Sequence, residues 1–541
     1  MRRTCLVVTT LLSAFMATAQ QGWLPLSTDI DGPIGGRIRS IKADPALHSG
    51  IRPYLREDLK LIPGADSLVP KAWRPWLDSL SKPRHGVYGT PFAEAMIGGS
   101  FGEKDPIKFR TGLGGQLDWS AGKRWSLHVD GMVWAETLPN YLDSVVRSIH
   151  VTPGEGYAYG DAGAGSVRTH HDWSAWVDHK AGQYFHITLG RGKNFFGEGL
   201  RSLFLSDNAY SYPYLRITTT VWKVRYVNLF AAMSDIRGTN GQWNSFDLKW
   251  TSMHYLSWNA LSRLNISLFE AIIWQDNDPA YRRGFDINYL NPVIFYRPAE
   301  FGLGSPDNAL LGFAVNTRVG RRTLLYGQLM FDEFLLREVR GGRGWFANKQ
   351  GVQFGAVGHD AFNRKGLTLR AEFNYVRPFM YTHSDTRQNY AHFNQPLAHP
   401  YGSNFWEALV QGEWRKDHWL VREVFSFAVL GQDTSTANDQ SYGNNMFLPE
   451  SARPVRDSDG RLENYGYYLG GPSMVHLYHN ELRAGWIIEP RSGWMLEAAW
   501  TLRVRVPERG DDLMTNYLRL GISVNLRDRH VFQDARYVLA K

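Results

Sequence analysis

Residues 124–136 read Arg124-Trp-Ser-Leu-His-Val-Asp-Gly-Met-Val-Trp-Ala-Glu136. In an extended chain Trp125, Leu127, Val129, Val133 and Ala135 share one face, and Ser126, His128, Asp130 and Glu136 share the other. Side chains of a strand alternate between its two faces, so this segment separates an apolar environment from a polar one. The same period returns at 367–379, where Leu367, Leu369, Ala371, Phe373 and Tyr375 alternate with Thr368, Arg370, Glu372 and Asn374. It returns again at 494–506, where Leu496, Ala498, Trp500, Leu502, Val504 and Val506 oppose Glu497, Thr501, Arg503 and Arg505.

Working outward from these segments, hairpin follows hairpin from about Ala93 to Leu526. Short turns such as Ala121-Gly122-Lys123, Lys180-Ala181-Gly182, Gly320-Arg321-Arg322 and Arg415-Lys416-Asp417 join the strands. Gly, Asn, Asp and basic residues are what tight hairpin connections use. Less regular strands are expected around 92–101, 215–233, 246–258, 264–274 and 289–296, and a last one over 516–526, about sixteen to eighteen in all. Longer stretches at 137–171, 191–214, 276–307, 380–404 and 431–473 alternate with the short turns. That asymmetry matches outer-membrane barrels, which carry short periplasmic turns and long outer loops. The expected fold is all-β: a transmembrane antiparallel outer-membrane β-barrel with short N-terminal helices.

The N-terminus supports export. Arg2 and Arg3 precede an apolar stretch over 6–16 and Ala17-Thr18-Ala19, an A-x-A-like cleavage site, so 1–19 is expected to be a signal peptide. Cys5 is the only cysteine, which excludes disulfides and thiolate metal sites in the processed chain. Residues 20–89 form a second unit, a periplasmic or plugging segment. Helix-compatible pieces at 44–50, 55–60 and 72–80 are punctuated by Pro45, Pro53, Pro63, Pro70 and Pro75. The barrel itself is expected over 90–541. No apolar run is long enough for a spanning helix, and mean hydropathy is −0.35. The net charge of +8 is spread without a basic block, so no nucleic-acid partner is expected. The 20 Trp and 26 Tyr suit interfacial girdles or sugar-stacking surfaces. Most of Trp222, Trp250, Trp258, Trp274, Trp494 and Trp500 are assigned to girdles; Trp243, Trp345 and Trp406, read as loop residues, are assigned to glycan contact.

The stretch 191–208 carries Lys193, Asn194, Glu198, Arg201, Asp207 and Asn208 among Phe195, Phe196 and Phe204. Such a loop could offer paired donors and acceptors to a glycan, or its charges could pair with one another and with the lumen wall. Its glycines lack the strand–helix context of a phosphate loop. Asp207, Glu300, Asp307 and Glu372 could converge as hydrolytic carboxyls, but barrel lumens are routinely lined by carboxylates and arginines that satisfy each other. His383, His392 and His399 share a stretch with Asp385 without helical ligand spacing. No metal, cofactor or catalytic residue is expected.

Three of the long stretches carry recognisable wording: Gly192-Lys-Asn-Phe-Phe-Gly-Glu-Gly-Leu-Arg-Ser-Leu-Phe-Leu-Ser-Asp-Asn208, Asn291-Pro-Val-Ile-Phe-Tyr-Arg-Pro-Ala-Glu-Phe-Gly-Leu-Gly-Ser-Pro-Asp-Asn308 and Asn394-Gln-Pro-Leu-Ala-His-Pro-Tyr-Gly-Ser-Asn404. With Phe331-Asp-Glu-Phe-Leu-Leu336 they resemble the capsule-assembly Wzi superfamily, and more closely its Bacteroidetes gliding-motility branch, RemB. The resemblance implies a barrel of about eighteen strands in the outer membrane of a Gram-negative cell, reached by Sec export. It also implies no enzymatic activity, and surface polysaccharide or motility-machinery components as partners beside outer-membrane lipid. Glycan-contact candidates are then Lys193, Asn194, Phe195, Glu198, Arg201, Asp207, Asn208, Trp243, Arg297, Glu300, Asp307, Asn394, His399 and Trp406. The chain departs from the family at its end. It runs nine residues past Phe532, so 531–539 is expected to be either another strand or a periplasmic tail. A porin-like channel and a secreted β-rich glycan hydrolase are the two rival functions.

Overall fold

A computed structural model describes residues 22–24, 26, 35, 38–39, 44–61, 86–122, 124–161, 163–277, 283–295, 307–433, 440–489 and 493–524. The expected signal peptide, the piece at 72–80, Arg297, Glu300 and the tail around Phe532 lie outside the described residues.

Eighteen strands run in a consecutive antiparallel meander and close on themselves. They are β1 (Gly86–Phe101), β2 (Ile107–Ala121), β3 (Trp125–Glu136), β4 (Arg168–Ala181), β5 (Phe185–Gly192), β6 (Tyr212–Val221), β7 (Val224–Asp235), β8 (Asp247–Trp258) and β9 (Leu264–Gln275). The second half comprises β10 (Asn308–Val319), β11 (Thr323–Phe331), β12 (Gln350–His359), β13 (Leu367–Val376), β14 (Phe405–Lys416), β15 (Trp419–Gln432), β16 (Ser473–Glu489), β17 (Trp494–Pro507) and β18 (Leu513–Val524). Closure runs from Ala95 opposite Ile522 to Phe101 opposite Asn516, which leaves the barrel without a free edge.

The alternation is turned inside out relative to a soluble protein. On β3 the buried positions are Ser126, His128, Asp130, Met132, Trp134 and Glu136, while Trp125, Val129 and Val133 are exposed. Water-soluble sheets bury the apolar face; here hydrocarbon faces out and charge faces in, as lipid outside and a polar lumen inside require. Exposed Trp119, Trp125, Trp222, Trp258, Trp414, Trp419 and Trp486 all lie at the short-turn end, an aromatic girdle at one membrane boundary. Of the expected girdle residues, Trp222 and Trp258 belong to this girdle; Trp494 is half-buried, Trp500 sits at mid-strand, and Trp250 is half-buried at the long-loop end beside Trp274. Trp274 points outward but is fully covered by Phe285 and Tyr289.

Three expectations need correction. Residues 44–50 form turns rather than a helix, because the Asp44 carboxylate accepts from Ala46 N at 2.8 Å and Asn259 takes the Leu47 carbonyl at 2.9 Å. Only Arg56–Leu61, a 3-10 turn, is helical within 44–61. The stretch 289–295 is not a strand: β9 pairs directly with β10, so the sheet has no place for it, and Ile287–Leu290 is a 3-10 turn. Trp406 lies on β14, not in a loop. Its ring faces outward against Phe373 and Phe427, a lipid-side position.

Candidate functional site

All the long connections leave the same end of the barrel, opposite the end where 44–61 enters. The stretch 193–211 folds back into the lumen. Phe196, Leu203, Phe204 and Leu205 are fully buried there among Val227, Leu229, Met253, Tyr255, Phe269 and Ile273 of the wall. Phe196 stacks on Tyr255 at 4.8 Å and Phe204 on Phe269 at 5.0 Å. Offset aromatic pairs add about 0.5–1.5 kcal/mol beyond their buried area. Gly312 is required here, since a Cβ on it would sit 2.5 Å from the Phe204 ring.

The N-terminal segment meets this loop halfway. Ile51 and Arg52 pair antiparallel with Phe196 and Phe195, and the Arg52 guanidinium covers the Phe195 ring at 3.8 Å. Asp58 accepts two hydrogen bonds of 2.8 Å from Arg225, and Trp23 Nε1 donates to Thr188. A third segment, 377–404, packs Met380, Tyr381, Tyr390, Leu397 and Tyr401 onto the same core.

The charges of 193–208 are consumed in holding these segments. Lys193 donates to the Gly154 carbonyl, Asn194 accepts from Arg216 at 2.8 Å, and Asn208 donates to the Pro396 carbonyl at 2.8 Å. The Asp207 carbonyl faces Lys193 at 3.5 Å. Glu198 receives Arg39, Ser49 and Asn316. Arg201 forks onto Glu407, whose carboxylate also binds His399 Nε2 at 2.8 Å. Burial lowers the His399 pKa, against the pull of Glu407. Glu372 caps the Leu200 and Arg201 amides, and Asn374 bridges it to Glu407. These carboxylates are buried and fully engaged with cations and amides, so the network reads as a latch for the loop.

Other candidates are scattered. Asn394 donates to the Ile149 carbonyl, and Asp307 binds Arg283 and Tyr289. His392 accepts from Ser234 N while His399 is on Glu407, so the histidines of 383–399 do not converge. A cluster that the sequence did not suggest lies where β3 and β4 meet the loop that joins them: Glu136, Glu155 and His170 place ligand atoms within 4.8 Å of one another. Arg110 already sits among them, donating to Glu136 at 2.8 Å, Glu155 at 2.7 Å and Glu94 at 3.0 Å. The cation there is a guanidinium.

Outside the latch, the crown presents aromatic rings. Trp243 is 82% exposed and Tyr159 is 46% exposed, and Tyr157 lies 4.9 Å from Tyr159. The loop of Trp243 adjoins Tyr157 closely enough that a Cβ on Gly241 would stand 2.6 Å from that ring. Sequence reading found Trp243 but passed over the tyrosines. Their only signal was alternation in Gly156-Tyr-Ala-Tyr-Gly160 within a loop.

These features define an outer-membrane β-barrel whose lumen is filled by its own loops. In fold the chain is similar to Wzi of Escherichia coli, described as an outer-membrane, carbohydrate-binding β-barrel involved in group 1 capsule assembly. The TM-score is 0.59 at 12% identity, covering 94% of this chain and 100% of that one. Pseudomonas aeruginosa OccK8 (OprE) gives 0.41 at 8% identity, over 80% of this chain and 97% of that one. Acinetobacter baumannii OccAB4 gives 0.42 at 6% identity, over 80% and 96%. No family model and no curated protein matches the sequence.

Proposed function

We propose that this barrel binds surface polysaccharide at its loop-side crown without enzymatic action, in capsule assembly or, as in the RemB branch, in gliding motility at the outer membrane of a Gram-negative cell. The observation that carries this reading is the exposure of Trp243 and Tyr159 on two loops that meet at Tyr157 above a loop-filled lumen. Aromatic faces suit the C–H faces of sugar rings, and a repeating polymer would engage many copies of the protein at once. The likeness of fold to Wzi, itself described as carbohydrate-binding, supports the same reading. Lys193, Glu198 and Arg201 then act by holding the crown in shape, while Trp243 and Tyr159 touch the glycan.

The test is binding of purified capsule or exopolysaccharide to the detergent-solubilised protein. Two exposed aromatic contacts at about 0.5–1.5 kcal/mol each predict that Trp243→Ala with Tyr159→Ala weakens affinity by about tenfold. Heat-modifiable gel mobility should be unchanged. An unaltered affinity would remove the aromatic mechanism. The channel reading is checked in planar bilayers, where steady ion conductance by the intact protein would favour it instead.

A further inference from the structure

On β7–β9 four outward-facing positions near mid-strand are polar: Asn228, Ser252, His254 and Glu270. Arg225, Val227 and Leu229 point inward, to Asp58 and the lumen core, so Tyr226, Asn228 and Phe230 point outward. By the same parity Ser252 and His254 on β8 and Glu270 on β9 face outward. Cross-strand register sets Asn228, His254 and Glu270 side by side. Such groups facing lipid bare would be costly. They are instead buried, at 4%, 3% and 2% exposure, with Ser252 at 0%.

What covers them is the stretch 283–295. It hangs from the crown end, where Arg283 binds Asp307 at 2.7 Å and Trp274 Nε1 donates to the Gly284 carbonyl. Further down, Ser252 donates to the Tyr289 carbonyl at 2.9 Å, and Tyr226 donates its hydroxyl to the Pro292 carbonyl. Glu270 accepts from the Phe295 amide at 3.0 Å. His254 links Asn228 at 2.8 Å with the Tyr226 hydroxyl at 3.0 Å. On β8, Trp250 lies at the upper contact and Leu256 is opposite Tyr226 at the lower one. Six residues of strand is about 20 Å, which at the usual strand tilt spans about 15 Å of depth, more than half of the apolar wall.

We infer that 283–295 is a membrane-embedded strap lying against the outside of the barrel, and that its outer surface is an acyl-chain-binding face. Irregular backbone survives at membrane depth only if its polar groups are satisfied by protein. The outward polar seam of β7–β9 supplies those partners. The strap's other side continues the lipid-facing wall: Ile287, Leu290, Val293 and Phe295 are 75%, 42%, 56% and 43% exposed. The seam and the strap explain each other, and Asp307 acts as the upper anchor.

The experiment uses full-length protein in outer-membrane vesicles, in a Cys5→Ser background, with single cysteines from Ile287→Cys, Val293→Cys and, as the aqueous control, Trp243→Cys. A charged, membrane-impermeant maleimide should label position 243 at least tenfold faster than 287 or 293. A bimane at 287 or 293, but not at 243, should be quenched by phospholipid brominated along its acyl chains. Equal labelling at all three sites would overturn the inference, as would absence of quenching. Ser252→Ala with His254→Leu removes two donors of the seam, and labelling of position 293 should then rise about tenfold. Unchanged protection in that folded variant would overturn the holding role of the seam, while the cysteine arm stands on the native wall.

Discussion

Strands β2–β4 turn charge inward and hydrocarbon outward; strands β7–β9 do the reverse at mid-strand. In the first arc Arg110, Asp118, His128, Asp130, Glu136 and His170 face the lumen, and Leu113, Val129 and Val133 face out. In the second, Val227, Leu229, Met253, Phe269 and Ile273 face in, and Asn228, Ser252, His254 and Glu270 face out. The difference follows from what each surface touches. The first arc has lipid outside and a hydrogen-bonded polar interior. The second has the 193–211 loop packed on its inside and the 283–295 stretch on its outside. Side-chain polarity on a strand therefore reports the neighbour, not which side of the membrane wall it is on.

The largest effect that separates the arcs comes from an apolar residue at an inward position. Arg110→Leu leaves Glu94, Glu136 and Glu155 without their shared guanidinium. Stranding buried charge in this way costs about 3–5 kcal/mol. The folded band should be lost at much lower urea in a heat-modifiability gel. Met253→Leu, at an inward position of the other arc, should cost less than about 1.5 kcal/mol, because volume and polarity are nearly kept. Equal costs would break the comparison. On the outside, Val129→Arg near the middle of β3 should cost about 2–4 kcal/mol in bilayers, since it puts a cation into hydrocarbon. If that variant folds as readily as the parent, the outer face of the first arc does not meet lipid.

The same contrast explains what could be read from the sequence. β3, β13 and β17 stand between lipid and a polar lumen, so their alternation is clean and legible in the sequence. β8 and β9 are covered on both faces, and strands buried on both sides lose the period of two. They accordingly read as the less regular segments 246–258 and 264–274. The stretch 289–295 looked like a strand because one side meets the wall and the other stands exposed, which imposes a strand-like pattern without a place in the sheet. At the candidate site, the charge density of 193–208 was visible, but its partners were not. Arg216, Asn316, Glu372 and Glu407 come from four strands far apart in sequence, and only closure of the barrel brings them to one loop.

The smallest predicted effect concerns the two ends of the lumen filling. The crown loop is fixed by contacts that are almost wholly buried, whereas the N-terminal turn is fixed near the short-turn end by Glu57. That carboxylate is 39% exposed and is bound by Lys180 and by His186, which also holds Asp178. Burial raises the Glu57 pKa, but hydrogen bonds from His186 and Lys180 outweigh it and hold the group at about 2. A carboxyl depressed in the folded state contributes stability that is present above its unfolded value of 4.5 and lost as pH falls towards about 2. The contribution is modest because water screens a partly exposed pair. Between pH 5 and 2 the N-terminal segment should therefore become progressively more protease-sensitive. Glu57→Gln should remove that pH dependence while leaving the barrel band intact. Acid release of the segment at the same pH in Glu57→Gln would show that the carboxylate is not what fastens it, and would shift the fastening to the Asp58–Arg225 pair.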